Sequence, residues 1–524
     1  MTQQKSENCI VPEETRKGLK TERGGKAIPV KEQEMQLTLP FATAELPKGA
    51  TSGKRSGRPE TKNRRAPKAK STSKHVFPAT LEEVIKRLRD AFEKVEANKG
   101  APGPNRQSIV QVRENLDEIL KELTPELLNG TYKPGSIRRV FIPKAGGGLR
   151  GLGIPDVVDR MVQEALRQVL EPLYEPKFHG SSHGFRPERS CHTAVREAVE
   201  HVKAGFRWVV DLDLEKFFDK VCHQRLLSKL GEQVRDKRIL KLVNQMLKAK
   251  VVLPDGMQVK TDEGLPQGGP LSPLLSNIVL NELDRELERR GHRFCRYADD
   301  VNIYIRSERA GQRVMSSIAR FIKKRLRLQV NPTKSAVALP KDRHFLGFCL
   351  RYEAKTGNVE IGLSERSKKQ TAERIRALTP RRWGQPLKVC IERINTYLRG
   401  WMGFFGICTN DIRWALNKFD AHIRRRLRVL QMRQWGRRRT IARKLVSLGA
   451  KRKTAWQNVY EGRRSLWALS RTTAAERGMR NAYFAERGLE SLMEKWKCQG
   501  QFNFKQKRQN FLDSLSSPIR VFSL

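Results

Sequence analysis

Two adjacent acids at the tip of an apolar hairpin constrain this chain more than any other feature. In FCRYADDVNIYIRS, residues 294–307, Val301, Ile303 and Ile305 alternate with Asn302 and Tyr304, the period-two pattern of a strand. Phe294 to Tyr297 can supply its antiparallel partner, which leaves Ala298, Asp299 and Asp300 at a tight turn. Neighbouring carboxylates repel, so something positive must compensate. One reading is an ordinary Asp-containing turn. The other is a divalent cation such as Mg²⁺, whose hard charge suits carboxylate oxygens.

A second stretch strengthens the cation reading. In RWVVDLDLEKFFDKV, residues 207–221, strand alternation puts Trp208, Val210, Leu212 and Leu214 on one face. Val209, Asp211 and Asp213 fall on the other, so both acids point the same way. This strand, followed by Phe217 and Phe218, can deliver a third carboxylate to the hairpin. Three acids from two distant elements suit two-metal phosphoryl transfer, in which one ion activates a hydroxyl and the other neutralises the leaving pyrophosphate.

Charge points to the partner. The 524 residues hold 104 Lys and Arg against 56 Asp and Glu, a net charge of +48. A compact body so charged repels itself unless a polyanion lies against it, which makes nucleic acid the leading partner. A hydrophobic share of 38% is enough to fill a core. No stretch reaches the roughly 18 apolar residues of a spanning helix, and MTQQKSENCIVPEE lacks the pattern of a secretory signal. A soluble, intracellular protein is expected. Eight cysteines without a CxxC pair argue against a disulfide scaffold or a zinc ribbon.

Along the chain, residues 1–74 are polar and rich in basic residues, which predicts a disordered extension, either an arm for nucleic acid or a solubilising tail. Helical periodicity starts near Leu81, breaks at NKGAPGPN (98–105) and returns over 116–128. SIRRVFIP (136–143) reads as a strand feeding a glycine turn at 146–148, with Lys144 and Arg150 on either side. In LPQGGPLSP, Gln267, Gly268, Gly269 and Pro270 suit a loop whose backbone approaches a base pair closely. Ser272 is expected to cap the helix that follows, with Pro273 at its first position and Leu275, Val279, Leu283 and Leu287 along one face. From about 205 to 350 short β-branched runs alternate with helical ones, and after Ser364 Arg-rich amphipathic helices continue to about Leu492. Residues 421–453 carry thirteen Lys or Arg and no acid, interleaved with apolar positions that allow docking and binding together.

YADD (297–300) with DLDLEKFFD upstream resembles the palm of a reverse transcriptase. Further blocks are similar to the group II intron reverse transcriptases and maturases: RVFIPKAGGGLRGLGIP (139–155), HGSSHGFRPERSCHTAV (179–195), EGLPQGGPLSPLLSNIVL (263–280), VNPTKS (330–335), HFLGFCL (344–350) and YLRGWMGFF (397–405). The resemblance implies an α+β fold: right-hand fingers and palm built on an antiparallel sheet, an α-helical thumb, and a small basic helical domain. It divides the chain into an N-terminal extension and fingers (75–204), palm (205–363), thumb or maturase domain (364–436) and DNA-binding region (437–524).

By the same resemblance Asp213, Asp299 and Asp300 bind two Mg²⁺ ions, and Asp213 is preferred to Asp211 because it lies five residues before Phe218. Phe218 would screen the sugar 2′-OH of the incoming nucleotide, whereas Phe217 reads as core. Lys144 and Arg150 match residues that hold the triphosphate of a dNTP, with Arg139 a weaker candidate, and Gln267 and Pro270 complete the nucleotide site. Arg186 matches a motif near template and primer, and Lys334 would support the active site or the primer. Arg424, Arg425, Arg428, Arg437 and Arg438 would grip nucleic acid. His179, His183, Cys191 and His192 also suggest zinc, a reading the resembled pattern disfavours.

The implied partners are intron RNA, an RNA template with a DNA primer, and target DNA, with no membrane, in a bacterial cytoplasm near the nucleoid. The C-terminal end offers no endonuclease pattern, so the primer is expected from a nick or a replication fork. Two other readings are a domesticated polymerase in DNA repair or defence and an RNA-binding splicing factor without polymerase activity.

Overall fold

The computed structural model describes residues 79–143, 148–380, 384–409, 412–461 and 465–498. The expected disordered extension, residues 1–74, lies outside them, as do Lys144, Gly146 and residues 499–524. Ala66–Leu524 cluster as one unit.

Among the described residues ten strands form three sheets. They are β1 (Ile137–Pro143), β2 (Leu149–Ile154), β3 (Trp208–Leu212), β4 (Val251–Val252), β5 (Gln258–Val259), β6 (Arg293–Tyr297), β7 (Asp300–Ile305), β8 (Ala336–Ala338), β9 (Phe348–Tyr352) and β10 (Val359–Leu363). The first sheet runs β2-β1-β4-β5, the second is the hairpin β9-β10, and the third runs β6-β7-β3-β8 with every pairing antiparallel. Its central register sets Trp208 against Ile305 and Leu212 against Val301.

Alternation along β3 and β7 feeds two separate cores. Val210, Leu212, Val301, Ile303 and Ile305 join a core that begins at Leu81 and reaches Leu328. Val209, Cys295 and Tyr304, on the opposite face, join a second core that runs from Ala194 to Leu492. Both faces are therefore covered, and Asn302 and Tyr304, the polar-looking positions of β7, are buried. Polar chemistry on such a sheet is confined to its ends.

The helix Val157–Tyr174 buries most of its circumference in the first core, and Ser272–Arg289 packs beside it with Leu275, Val279, Leu283 and Leu287 inward. The expected cap on the latter is corrected. Leu271 occupies the cap position, Ser272 is the first helical residue, and its hydroxyl donates to Pro266 O at 2.7 Å, closing the preceding loop. After β10 the fold is helical: Glu365–Leu378, Leu387–Phe405, Arg413–Trp435, Arg438–Ser447, Arg452–Tyr460 and shorter turns line the second core. No described helix is long and apolar enough to cross a membrane.

Candidate active site

A two-residue turn, Ala298–Asp299, joins β6 to β7, and Asp300 is the first residue of β7, paired with Tyr297. Ala298 sits in the left-handed region at φ 55. Such a backbone persists only when its surroundings hold it, and here they do. Gly184 packs so closely that a Cβ on it would lie 2.3 Å from Ala298 N. Behind the turn Arg296, 0% exposed, donates to Ala298 O at 3.0 Å, to Asn277 Oδ1 at 2.9 Å and to Ser182 Oγ at 2.7 Å. Two further bonds, at 2.7 and 2.5 Å, reach the equally buried Asp284. Asn277 in turn donates to Gly184 O at 2.8 Å. One buried ion pair thus ties the turn, the 182–184 loop and the helix Ser272–Arg289 together.

Asp213 lies one residue beyond β3. Continuing the register past Leu212↔Val301 brings it opposite Asp300. The VNPTKS turn runs alongside: Glu215 N donates to Gln329 O, Asn331 N to Asp213 O, and Asp213 N to Ser335 Oγ, all within 2.9 Å. That turn carries Lys334, whose Nζ is 3.5 Å from the Asp213 carboxylate while most of its side chain faces solvent. Asp211 has a different fate. Arg343 donates to its carboxylate through Nε at 2.8 Å and Nη2 at 2.6 Å, and a second Nη2 bond goes to Lys334 O. An acid so engaged is a brace, which leaves Asp213 as the available carboxylate of the pair.

The electrostatics record the crowding. Burial pushes Asp299 above the ordinary carboxylate range, and the charge of Asp213 adds to this, while Arg150 and Arg296 oppose it. Asp300 is raised to about 7 by the protein packed around it and then by Asp299, Asp211 and Asp213, with Arg366 opposing, although solvent reaches its side chain. Asp299 and Asp300 are thus both raised in part by neighbouring acids, a cost that a divalent cation would remove. A cation already stands there in kind, since Lys334 is drawn to Asp213. The donor set therefore fits hard divalent ions. The three carboxylates interact electrostatically without meeting at one point: among the described residues only His183, Glu197 and Cys295 bring three ligand atoms within 4.8 Å of one another.

That second group is a hydrogen-bonded network. His183 Nδ1 lies 2.9 Å from Thr193 Oγ1 and Nε2 lies 2.6 Å from Glu197, so both ring nitrogens are occupied, and burial drives the Cys295 thiol well up, away from the thiolate a metal needs. The disfavoured zinc set is dispersed. His179 accepts from Ser181 N, His192 reaches Phe404 O, and Cys191 interacts with Tyr297.

Around the acids the other expected residues fall as follows. Arg150, on β2 opposite Ile142, is exposed, and its charge reaches Asp299; Lys144, across the turn, is outside the described residues. Arg139 pairs loosely with Asp219 at 3.5 Å. Phe217 is core, 2% exposed. Phe218 is half-buried, edge-on to Phe217 at 5.1 Å, in a short 3-10 turn entered through the left-handed Lys216.

Gln267 O accepts from Gly153 N at 2.6 Å, which docks the 266–270 loop, with Pro270 half-buried, on β2. The close approach that demands Gly268, at φ 125, is to protein: a Cβ there would lie 2.4 Å from Gly153 O.

Arg186 corrects an expectation. Its side chain is 6% exposed and its donors are spent on Glu175, His179 O and Ser182 O, so it stiffens the 175–186 segment and presents nothing to a phosphate. Arg428 is also buried, bonded to Met479 O at 3.1 Å. Arg425 lies over Trp467, and Arg438 donates to Val459 O. Arg424 is half-buried and Arg437 is exposed. Arg296, Arg343 and Arg366 were not singled out by sequence. Arg296 lies within the strand that sequence recognised, and no local pattern marks a cation whose partners are Asp284 and Ser182.

A family model described as "Reverse transcriptase (RNA-dependent DNA polymerase)" matches residues 142–350, and "Group II intron, maturase-specific domain" matches residues 368–446. "Protein YkfC" of Escherichia coli is 33% identical over 316 residues, which are 52% of this chain and 83% of that protein. "Group II intron-encoded protein LtrA" of Lactococcus lactis is 39% identical over 198 residues, 37% of this chain and 32% of LtrA. "Putative COX1/OXI3 intron 1 protein" of Saccharomyces cerevisiae is 33% identical over 281 residues, 52% of this chain and 32% of that protein. The chain thus covers most of YkfC but about a third of the two intron proteins.

Proposed function

The chain belongs to the group II intron reverse transcriptase and maturase family, and we propose that it is an RNA-directed DNA polymerase that also holds intron RNA in a shape competent for splicing. The observation that supports this is the placement of Asp213, Asp299 and Asp300 at neighbouring strand ends of a sheet whose two faces are buried, near enough for Asp213 to act on the ionisation of the other two. Asp211, the one nearby acid engaged by arginine, is excluded from the set.

Asp213, Asp299 and Asp300 would hold two Mg²⁺ ions, which when bound polarise the primer 3′-hydroxyl and neutralise the leaving pyrophosphate. The remaining work belongs to the chain. Lys334 shifts from Asp213 toward the primer when the acids are occupied, keeping a positive charge at the strand end. Arg150 and Lys144 would clamp the dNTP triphosphate, a fork and a point charge. The loop Gln267–Pro270, docked on Gly153, sets the floor of the nucleotide site, and Phe218 excludes a 2′-hydroxyl by bulk. Arg296 keeps the Asp299–Asp300 turn in place, and Arg343 keeps Asp211 out of the way.

The basic helices after Ser364 would bind intron RNA and target DNA, with exposed Arg437 and half-buried Arg424 among the phosphate contacts. Such a protein would work in the cytoplasm against the nucleoid. Primer extension on an RNA template with Mg²⁺ tests the proposal: Asp299→Ala should abolish cDNA synthesis and leave intron RNA binding intact. Unchanged synthesis in that variant removes the polymerase assignment.

A further inference from the structure

Far along the chain from the acids, the helix Arg413–Trp435 and the segment 471–482 line a half-open cavity of about 780 Å³. Lys418, Arg424, Arg425, Arg428, Arg471 and Arg480 line it, against one acid, Glu476. Residues 418, 421, 425 and 428 share one helical face, so the helix presents its cations to the cavity in a row.

The site is built. Arg425 is held flat over the Trp467 ring at 3.5 Å, with its Nε toward Ser470 Oγ. Arg428, 9% exposed, is pinned by Met479 O at 3.1 Å and stands 3.6 Å from Glu476. Burial holds Arg428 below the usual guanidinium value, with Glu476 opposing and Arg424 adding to the shift. His422 also lines the cavity, and its Nε2 is buried with no hydrogen-bond partner. A buried polar atom left unpaired is costly, which marks the wall of this cavity as polar without a protein partner for every group.

A surplus of fixed cations selects a phosphate-bearing ligand. The volume falls in the range that encloses a compact small molecule, whereas the convex surface of a duplex cannot enter a cavity. Folded RNA offers what fits, because its loops and bulges splay single nucleotides outward. Resting on the nucleic-acid reading above, we infer that this cavity receives one nucleotide extruded from a folded RNA. Arg424, Arg471 and Arg480 grip its phosphate.

The test uses the full chain and two fluorescent RNA hairpins, one fully paired and one with a single bulged nucleotide. Wild type should bind the bulged hairpin at least about tenfold more tightly. Arg471→Gln with Arg480→Gln should erase that preference and lower the dependence of log K on log salt by about 0.7, the value for one single-strand phosphate contact. Arg443→Gln with Lys444→Gln, which removes the same charge from exposed positions outside the cavity, should keep the preference. Thermal unfolding of each variant verifies its fold. Equal wild-type binding of the two hairpins, or a preference that survives in Arg471→Gln/Arg480→Gln, overturns this inference alone. Failure of wild type to bind either RNA overturns the nucleic-acid reading with it.

Discussion

Arg296→Met should destabilise the folded chain by about 3–5 kcal/mol, the range for removing one partner of a buried ion pair. Methionine keeps the apolar stem of the side chain and removes the guanidinium, so the loss is chiefly polar. Asp284, 0% exposed, is left with no cation, and Asn277 Oδ1, Ser182 Oγ and Ala298 O each lose a donor. The orphaned carboxylate dominates this cost. Asp284→Leu in the same background removes it, so the double variant should recover most of the loss, retaining roughly 1–3 kcal/mol for the unsatisfied neutral groups. Urea unfolding, followed by circular dichroism and by the fluorescence of the eight tryptophans, one of them Trp208 on β3, measures both variants. Primer extension should fall in step with the single variant, because Ala298 is the left-handed residue on which Asp299 is aimed. A loss below about 1 kcal/mol for Arg296→Met, or a double variant as unstable as the sum of the two singles, would refute the reasoning.

Phe218→Ala should reduce discrimination against ribonucleotides at least about tenfold, the scale of a steric selection in a pocket, with dNTP incorporation retained; single-nucleotide extension with dNTP and NTP pairs reads the ratio, and an unaltered ratio assigns Phe218 to packing. Gly268→Ala should cost about 1–3 kcal/mol, since alanine at φ 125 is strained and its Cβ meets Gly153 O; a variant as stable as wild type in urea contradicts the close docking of the loop. Burial alone would raise Glu197, but hydrogen bonds from His183, His201 and Ser181 win and hold it at about 2 against an unfolded value of 4.5. A depressed carboxylate contributes stability above its unfolded pKa and loses it as pH falls toward its folded one. The contribution, about 3 kcal/mol, should therefore vanish between pH 4.5 and 2, and Glu197→Gln should flatten the acid limb of stability over that window; parallel limbs for the two proteins exclude the network as its source.

The hairpin, its acidic tip and the strand that bears Asp211 and ends one residue before Asp213 were legible because alternation and turns depend on residues close in sequence. So was the helical basic half, for the same reason. The choice between Asp211 and Asp213 was reached by resemblance, and the fold supplies its physical cause: Arg343, 132 residues away, occupies Asp211. Arginines were the least legible residues. Arg186, Arg296, Arg343, Arg428 and Arg437 look alike in sequence, yet one braces a loop, one holds the acidic turn, one engages Asp211, one lines a cavity and one faces solvent.

By itself the sequence determined which residues can form strands, turns and helices, and it supplied a charge that demands a polyanion. Only the tertiary structure decided which of those charges are spent inside the protein. A side chain's local pattern is set by neighbours a few positions away, but its ionisation and its freedom to bind are set by burial and by partners that the folded chain brings from more than a hundred residues off.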